Sequence, residues 1–574
     1  MPKENRFETD VLVIGGGMAG LFAAIKAKEQ GLNVTLVDKG FAGKTGSTPY
    51  AFWISVFNPE WGHNLDTWTS YVSSVGEYLN NREWTEIVFE ESYARYRDLV
   101  SWGVEFLTKD DGGLERFRFP GIATESLQLK KRVFGQVVRK QALKTGVEIK
   151  DRIMITDLLQ QDGRVVGAVG IAMESNDYCV FTARAVVVCT GCSSFKPDGW
   201  PVSSLTGDGD AMAYRVGAEI SGKEFNEPKS TNVDYPAMTM GTTLWIAERK
   251  GASLQGHNPP QVHTVKCVNA EGEEILGIAG ANYLELEFEA HAGRAPVYQD
   301  MGPEGKSKGK PHSAELPAHR GLTPRIGGAA AGMSVHTSEG LWPVNAQCAA
   351  TVAGLFAAGD SCSSRQVGAV YPGVGYALCG AAVTGARAGL GAAEYSLAVD
   401  KPRVARNEID ALRHTTYAPM ERKGGFSPRW ATQVLRNTTL PYFILYVKHK
   451  ERLEAALTLV EFMRDHIAPK LMARDAHELR LAIETKNMVL NAEMKLRASI
   501  FRTESRGTHY REDYPRRDDP NWLAWVTLRD ENGVMRLSKK PIPQAWWPDL
   551  SAPYEERYPK RLPGVVVLGQ ERGR

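Results

Sequence analysis

From Val11 to Asp38 the chain reads as an apolar run, a glycine turn, a helically spaced segment and a second apolar run. Val11 to Ile14 are uninterrupted hydrophobics, which predicts a short buried strand. Gly15, Gly17 and Gly20 follow in G-x-G-x-x-G spacing, and apolar positions recur with helical period from Ala19 to Gln30 before Gly31 ends the segment. The second run stops at Asp38, 18 residues beyond Gly20. Glycines so spaced permit a tight bend, approach of backbone to a pyrophosphate and close packing of strand on helix, and an acid at that distance accepts ribose hydroxyls. Strand, glycines, helix, strand and acid in that order point to a dinucleotide site.

The pattern then changes character several times. Lys39 to Phe57 is rich in Gly, Ser and Thr, a loop able to lay amides and hydroxyls along a cofactor. Residues 65 to 105 carry helical spacing through Tyr78, Trp84, Ile87, Val88, Tyr93, Tyr96 and Leu99, and residues 147 to 190 switch to short strands that turn at Asp162-Gly163 and end at Thr190-Gly191. Residues 206 to 220 read as a turn feeding a helix, with Asp208 near its start. Residues 231 to 325 are loop-like and proline-rich, which predicts an inserted cap. A buried strand over 352 to 360 ends at Gly359-Asp360 and leads through a glycine-rich turn into a helix of small residues from Ala377 to Leu390. Beyond residue 400 amphipathic faces run through Leu453, Leu457 and Val460, then Leu479, Ile483, Leu490 and Met494, and Asp530-Glu531-Asn532-Gly533 marks a closing hairpin.

The predicted fold class is α/β: a discontinuous Rossmann-like domain over 1–230 and 326–415, an α+β cap over 231–325, and a helical C-terminal domain with terminal strands over 416–574. Composition narrows the partners. The 574 residues are 43% hydrophobic and 24% charged, ordinary for a globular chain, and a formal charge of +2 without a long single-sign run suggests neither nucleic acid nor an anionic membrane surface. A small-molecule substrate is the expected partner. The charged MPKENRFETD before the first strand leaves no room for an apolar signal region, so a cytoplasmic chain is expected, and no window predicts a transmembrane helix. The 7 cysteines are an odd, scattered set that fits a reducing compartment. Cys189 and Cys192 form a C-x-x-C readable as a redox pair or, preferably, as small buried residues beside a cofactor. No motif for a metal or for the chain's own iron-sulfur cluster is present.

VLVIGGGMAG, ARAVVVCTG, TGDGDAMA, GLFAAGD and ESRGTHYREDYPRRDDPNWL occur in this order across nearly the whole chain. In them the sequence resembles the succinate dehydrogenase/fumarate reductase flavoprotein superfamily. The resemblance implies FAD under a mobile cap. Gly15, Gly17, Ala19, Gly20 and Asp38 would hold pyrophosphate and ribose. Lys39, Gly46, Ser47 and Thr48 would pass along the flavin, with Thr190, Gly191, Asp208, Gly359, Asp360, Ala377 and Leu378 completing the site. Gly46 stands where the succinate and fumarate enzymes carry the histidine that attaches FAD, so FAD is expected to be non-covalent.

The substrate residues of those enzymes do not carry over. Their phenylalanine-histidine-proline motif is matched by Glu227-Pro228-Lys229, their second substrate histidine by Ala329, and their carboxylate-clamping arginine by Tyr371. No arginine occurs between Lys250 and Gly293. A dicarboxylate would find few cations, although Lys229 and Arg325 can be set against one carboxylate and Arg506 or Arg511 against the other. Tyr371-Pro372-Gly373-Val374-Gly375 is similar instead to the turn of the 3-ketosteroid dehydrogenases, where the tyrosine hydroxyl and the last glycine N–H bind a ketone oxygen. Tyr371 and Gly375 are thus read as an oxyanion hole, or Tyr371 as packing against the flavin ring. Tyr283 and Arg294 are the acid/base candidates of the cap. The implied reaction is hydride transfer between flavin and a carbon adjacent to a carbonyl. ESRGTHYREDYP and AGRAPVYQD lean toward adenylylsulfate reductase, which implies the alternative of an electron-passing flavoprotein component with a ferredoxin-like partner.

Overall fold

A computed structural model describes residues 2–118, 121–131, 133–197, 203–227, 229–232, 266–275, 284–294, 297–300, 323–329, 333–373, 375–559 and 562–563. Its principal sheet has parallel strands in the order Glu148–Asp151, Val34–Asp38, Glu4–Ile14, Tyr178–Val188, continued by the antiparallel pair Arg164–Ala172 and Ile153–Gln161. The last three residues of Tyr178–Val188 also pair in parallel with Leu355–Ala357. A strand from the second half of the chain therefore completes a sheet begun at residue 4.

The first strand is longer than Val11–Ile14. Its polar half alternates exposed and half-buried positions and pairs from Glu4 to Thr9 with Tyr178 to Ala183, while Phe7 stacks on Phe181 at 4.8 Å. Pairing to a partner some way along the chain makes strand of the charged leader. The helix Met18–Lys28 and the helix Tyr376–Ala398 pack together over this sheet, and they do so closely because a Cβ on Gly389 would stand 2.3 Å from the Ala23 carbonyl oxygen. Small residues give that contact its short separation.

A second sheet is antiparallel and five-stranded, in the order Lys229–Asn232, Thr323–Ala329, Val297–Asp300, Lys266–Val268, Glu274–Ile275, with the helix Glu285–His291 beside it. The expected boundaries 230/231 and 325/326 fall within its first two strands, and 415/416 falls within the helix Arg406–Glu421. Hydrogen bonding continues across each. Helices Pro428–Thr439, Lys450–Phe462 and Ala476–Phe501 build the C-terminal region, and the hairpin Ala524–Glu531/Val534–Pro541 turns at Asn532-Gly533, both at positive φ. That hairpin is bonded to Ile220–Ser221, which is bonded in turn to Gly340–Leu341. Among the described residues no helix is long and apolar enough to cross a membrane.

Candidate active site

The predicted cofactor residues converge at the carboxyl ends of the parallel strands, where open α/β sheets bind ligands. The Gly15 N–H donates to Val37 O at 2.8 Å, and a Cβ on Gly20 would lie 1.8 Å from the Gly15 carbonyl oxygen, so only glycine lets the helix start against the strand. At Gly17 a Cβ would meet just the Thr48 hydroxyl, at 3.2 Å. The N-cap residue Gly17 brings no side chain to the helix Met18–Lys28, and of its first amides Met18 N–H donates to Thr48 Oγ1 at 3.0 Å. A helix start behind a side-chain-free turn is a cradle for phosphate.

Asp38 is buried and accepts from Gly16 N–H at 2.7 Å, Gly40 N–H at 2.6 Å and Thr45 Oγ1 at 2.9 Å. It fixes the glycine turn to the loop that follows. That loop carries Gly46 at φ +75° with nothing within 4 Å of a Cβ, then Ser47 and a short 3₁₀ turn Thr48–Tyr50. Thr190 and Gly191 meet the turn Gly359–Ser361, through Thr190 Oγ1 to Ser361 Oγ at 3.2 Å and Ser361 Oγ to Gly191 O at 3.2 Å. These features fit an FAD diphosphate and flavin.

Lys39 and Asp208, also predicted to contact the cofactor, have other partners. Lys39 Nζ lies 2.7 Å from Asp208 Oδ2 and 3.0 Å from Glu484 Oε1, and Asp208 Oδ1 accepts from Asn487 at 2.8 Å. Burial works against the charge on Glu484, but Lys39, Lys196 and Arg480 outweigh it and hold the carboxyl down at about 2. The flavin loop is thus tied to the helix Ala476–Phe501.

Tyr371 and Gly375 stand before the helix Tyr376–Ala398. Gly375 caps it at φ +92°, and a Cβ there would lie 2.5 Å from Ser55 N. The Ala377 N–H donates to the Tyr371 hydroxyl oxygen at 3.0 Å. With its oxygen accepting, the phenol has its proton to offer elsewhere. Burial pushes the Tyr371 hydroxyl above its ordinary range, so it stays a neutral donor. Leu378 is buried in the next turn.

His336 is the residue that sequence reasoning missed. Its ring packs edge-on to Tyr371 at 5.0 Å, its Nδ1 lies 2.7 Å from Asp360 Oδ2, and its Nε2 lies 3.8 Å from Glu227 Oε2. The positions matched to the two substrate histidines hold none, and Ala329 belongs to the second sheet, paired with Lys229, but a histidine from elsewhere in the chain stands beside Tyr371. The expectation for Arg506 and Arg511 is corrected. Arg506 is fully buried on Glu504 and Asp519, and Arg511 on Asp513 and the Ser499 carbonyl, so neither is available to a substrate. Arg294 closes a two-pronged pair on Glu289, at 2.7 and 2.8 Å, within the cap. Tyr283, Pro228 and Val374 lie outside the described residues, as do the side chains of Lys229 and Arg325.

Cys189 and Cys192 are free, buried thiols, both pushed above their ordinary range by burial. Cys192, His336 and Asp360 put one donor atom each within 4.8 Å of one another. The Cys192 thiol, kept protonated by burial, lies beside the imidazole.

Two family models match the chain, the FAD binding domain over residues 10–257 and the fumarate reductase flavoprotein C-terminal region over residues 444–558. One component of a CoM/CoB fumarate reductase from Methanothermobacter marburgensis is 27% identical over 555 residues, 91% of this chain and 97% of that protein. A fumarate reductase flavoprotein subunit of Mycobacterium tuberculosis is 25% identical, covering 94% and 98%. Among solved structures, quinol fumarate reductase of E. coli superposes with a TM-score of 0.80 at 19% identity over 94% of this chain and 97% of that one. Adenylylsulfate reductase of Archaeoglobus fulgidus does so with 0.77 at 21%, over 95% and 97%. Together with a cradle that fits FAD, these matches make the chain an FAD-dependent oxidoreductase similar over nearly its whole length to the flavoproteins of fumarate reductases.

Proposed function

We propose that the chain holds FAD non-covalently and catalyses hydride transfer at a carbon–carbon bond adjacent to a carbonyl, the hydride at the outer carbon of that bond and the proton at the carbon next to the carbonyl, as desaturation of a ketone or monoacid or reduction of the conjugated alkene. FAD, when bound, supplies the redox step. The residues of the chain bind, polarise and move a proton. The observation that carries the reading is the Ala377 N–H donating to the Tyr371 hydroxyl oxygen at a helix start, which leaves the phenolic proton free to be donated to a substrate. A donor so held stabilises the charge that develops on a carbonyl oxygen, aided by the positive end of the helix dipole and, in this reading, by the Gly375 N–H. His336, fixed by Asp360, is the proposed group that gives or takes the proton at the neighbouring carbon. Relatives aligned end to end are named fumarate reductases, and fumarate is itself an alkene conjugated to carbonyl carbons.

Preference for a ketone or monoacid over a dicarboxylate rests on the cations. The groups described around Tyr371, namely His336, Asp360, Glu227, Tyr376 and Cys379, include an imidazole and no guanidinium. A phenol supplies one neutral hydrogen bond where a guanidinium supplies two charged ones. Non-covalent binding follows from Gly46, which offers the flavin no nucleophile. The second reading, an electron-passing component with a ferredoxin-like partner, is favoured by one observation: the named relatives are parts of larger reductases, and this chain spans 97–98% of their length.

The test is twofold. Acid denaturation and filtration of the yellow protein should release all flavin; colour kept on the polypeptide would refute non-covalent binding. Tyr371→Phe should lower kcat on an enone acceptor by about a hundredfold, near 3 kcal/mol, with the flavin spectrum unchanged. An unchanged rate would remove the oxyanion hole.

A further inference from the structure

Lys495 lies on the helix Ala476–Phe501, outside the flavin site and fully buried. Its Nζ donates to Ser334 Oγ at 2.6 Å, pairs with Glu339 Oε2 at 2.7 Å and donates to Asn226 Oδ1 at 3.2 Å. Ser334 and Glu339 flank His336 on its turn, and Asn226 precedes Glu227, the carboxylate on the other side of the imidazole. One ammonium therefore grips both ends of the His336 turn and the segment bridged to it at Asn226. The turn needs such a grip. Thr337 sits at φ +62°, a conformation that β-branched residues avoid unless their surroundings impose it. It is held there by the Thr337 N–H donating to Asp360 Oδ1 at 3.2 Å and by the Arg365 N–H donating to Thr337 O at 2.7 Å. Asp360 thus takes the Thr337 amide on one oxygen and the His336 ring on the other.

We propose that Lys495, together with Glu339, is a positioning residue that holds the 334–339 turn so that His336 meets Asp360 beside Tyr371. The inference rests on the reading of His336 as a group of the reaction site. It gives the C-terminal helix a part in the chemistry without contact to substrate. Glu339 is shared with Lys223 Nζ, whose other partners are Asp210 at 2.6 Å and Asn491 at 2.7 Å, so the clamp is anchored at a second ammonium.

The test needs no substrate. In the FAD-loaded protein carrying ¹³C-labelled histidine, the His336 resonance is the one absent from His336→Asn, and its titration midpoint is the readout. Among the described residues the groups facing the ring include Asp360, Glu227, Tyr371 and Cys192. The double variant Lys495→Met/Glu339→Gln removes one charge of each sign, so it changes position without changing net charge or orphaning an ion, and it serves where Lys495→Met alone fails to fold. Loss of the Asp360 contact should lower the midpoint by about half a unit or more, while Lys495→Arg should leave it in place. A folded double variant with the wild-type midpoint overturns the proposal. If the midpoint moves yet enone turnover is indifferent to His336→Asn, the clamp stands and the reading of His336 as acid/base falls.

Discussion

At the scale of single residues the site turns on three side chains and what each is prevented from doing. Tyr371 is kept protonated by burial and has its oxygen occupied by the Ala377 N–H. Asp360 is spent on His336 and Thr337. Such commitments predict the effects of substitution. Asp360→Asn should reduce turnover by about tenfold or more and disturb its pH profile, because the amide cannot balance a protonated imidazole; a steady-state profile identical to wild type would deny the pair a role. His336 was hidden in the sequence for a physical reason. A single histidine in V-H-T-S-E-G belongs to no spaced motif, and its meaning comes from Asp360, 24 residues further on, and from Tyr371, which only the fold brings to its ring. The one signal available was a histidine closing a short apolar–polar alternation, Met333 to His336, not far before GLFAAGD. Tyr371 and Gly375, by contrast, were readable because a tyrosine, a proline and two glycines within five positions are a turn with few uses.

At the scale of elements, the first βαβ unit was plain in the sequence because its glycines are required by contact distances. Gly20 cannot gain a methyl group without moving strand from helix, whereas a Cβ on Gly46 would meet no protein atom within 4 Å and would incur mainly the cost of its positive φ. Gly20→Ala should therefore purify colourless or unfolded, and Gly46→Ala should keep its flavin with a stability loss of about 1 kcal/mol, as read by flavin absorbance and thermal melting. The reverse ranking would contradict the cradle. Element boundaries were less readable wherever a partner distant in sequence decides them. Glu4 to Asp10 looks like a solvated leader until Tyr178–Val188 pairs with it, and Lys229–Asn232 carries no strand signal apart from Thr323–Ala329.

At the scale of the whole molecule, the C-terminal region is fastened to the flavin domain by buried ion pairs and by the hairpin on Ile220–Ser221. Helical periodicity predicts that region's amphipathic faces but not the charges Glu484 and Lys495, which lie at the interface because each meets opposite charges there. Glu484 makes a prediction about acid. Its folded value, about 2, lies below the ordinary 4.5, so its contribution is full above 4.5 and is lost as pH falls toward 2. Melting temperature should drop across that window, and Glu484→Gln should be destabilised by several kcal/mol at neutral pH, on the order of 3 to 5, with a shallower acid decline. An unaltered acid limb in the variant would count against this linkage.

The claim on which the rest depends is the substrate class, and anaerobic mixing of the chemically reduced holoprotein with separate acceptors tests it most directly. Flavin reoxidation should be fast with a cyclic enone or an α,β-unsaturated monoacid, slower by about tenfold or more with fumarate, and absent with adenylylsulfate. Fastest reoxidation by fumarate would return the chain to dicarboxylate chemistry, and reoxidation by adenylylsulfate alone would replace carbon-centred hydride transfer with the sulfur chemistry of that reductase.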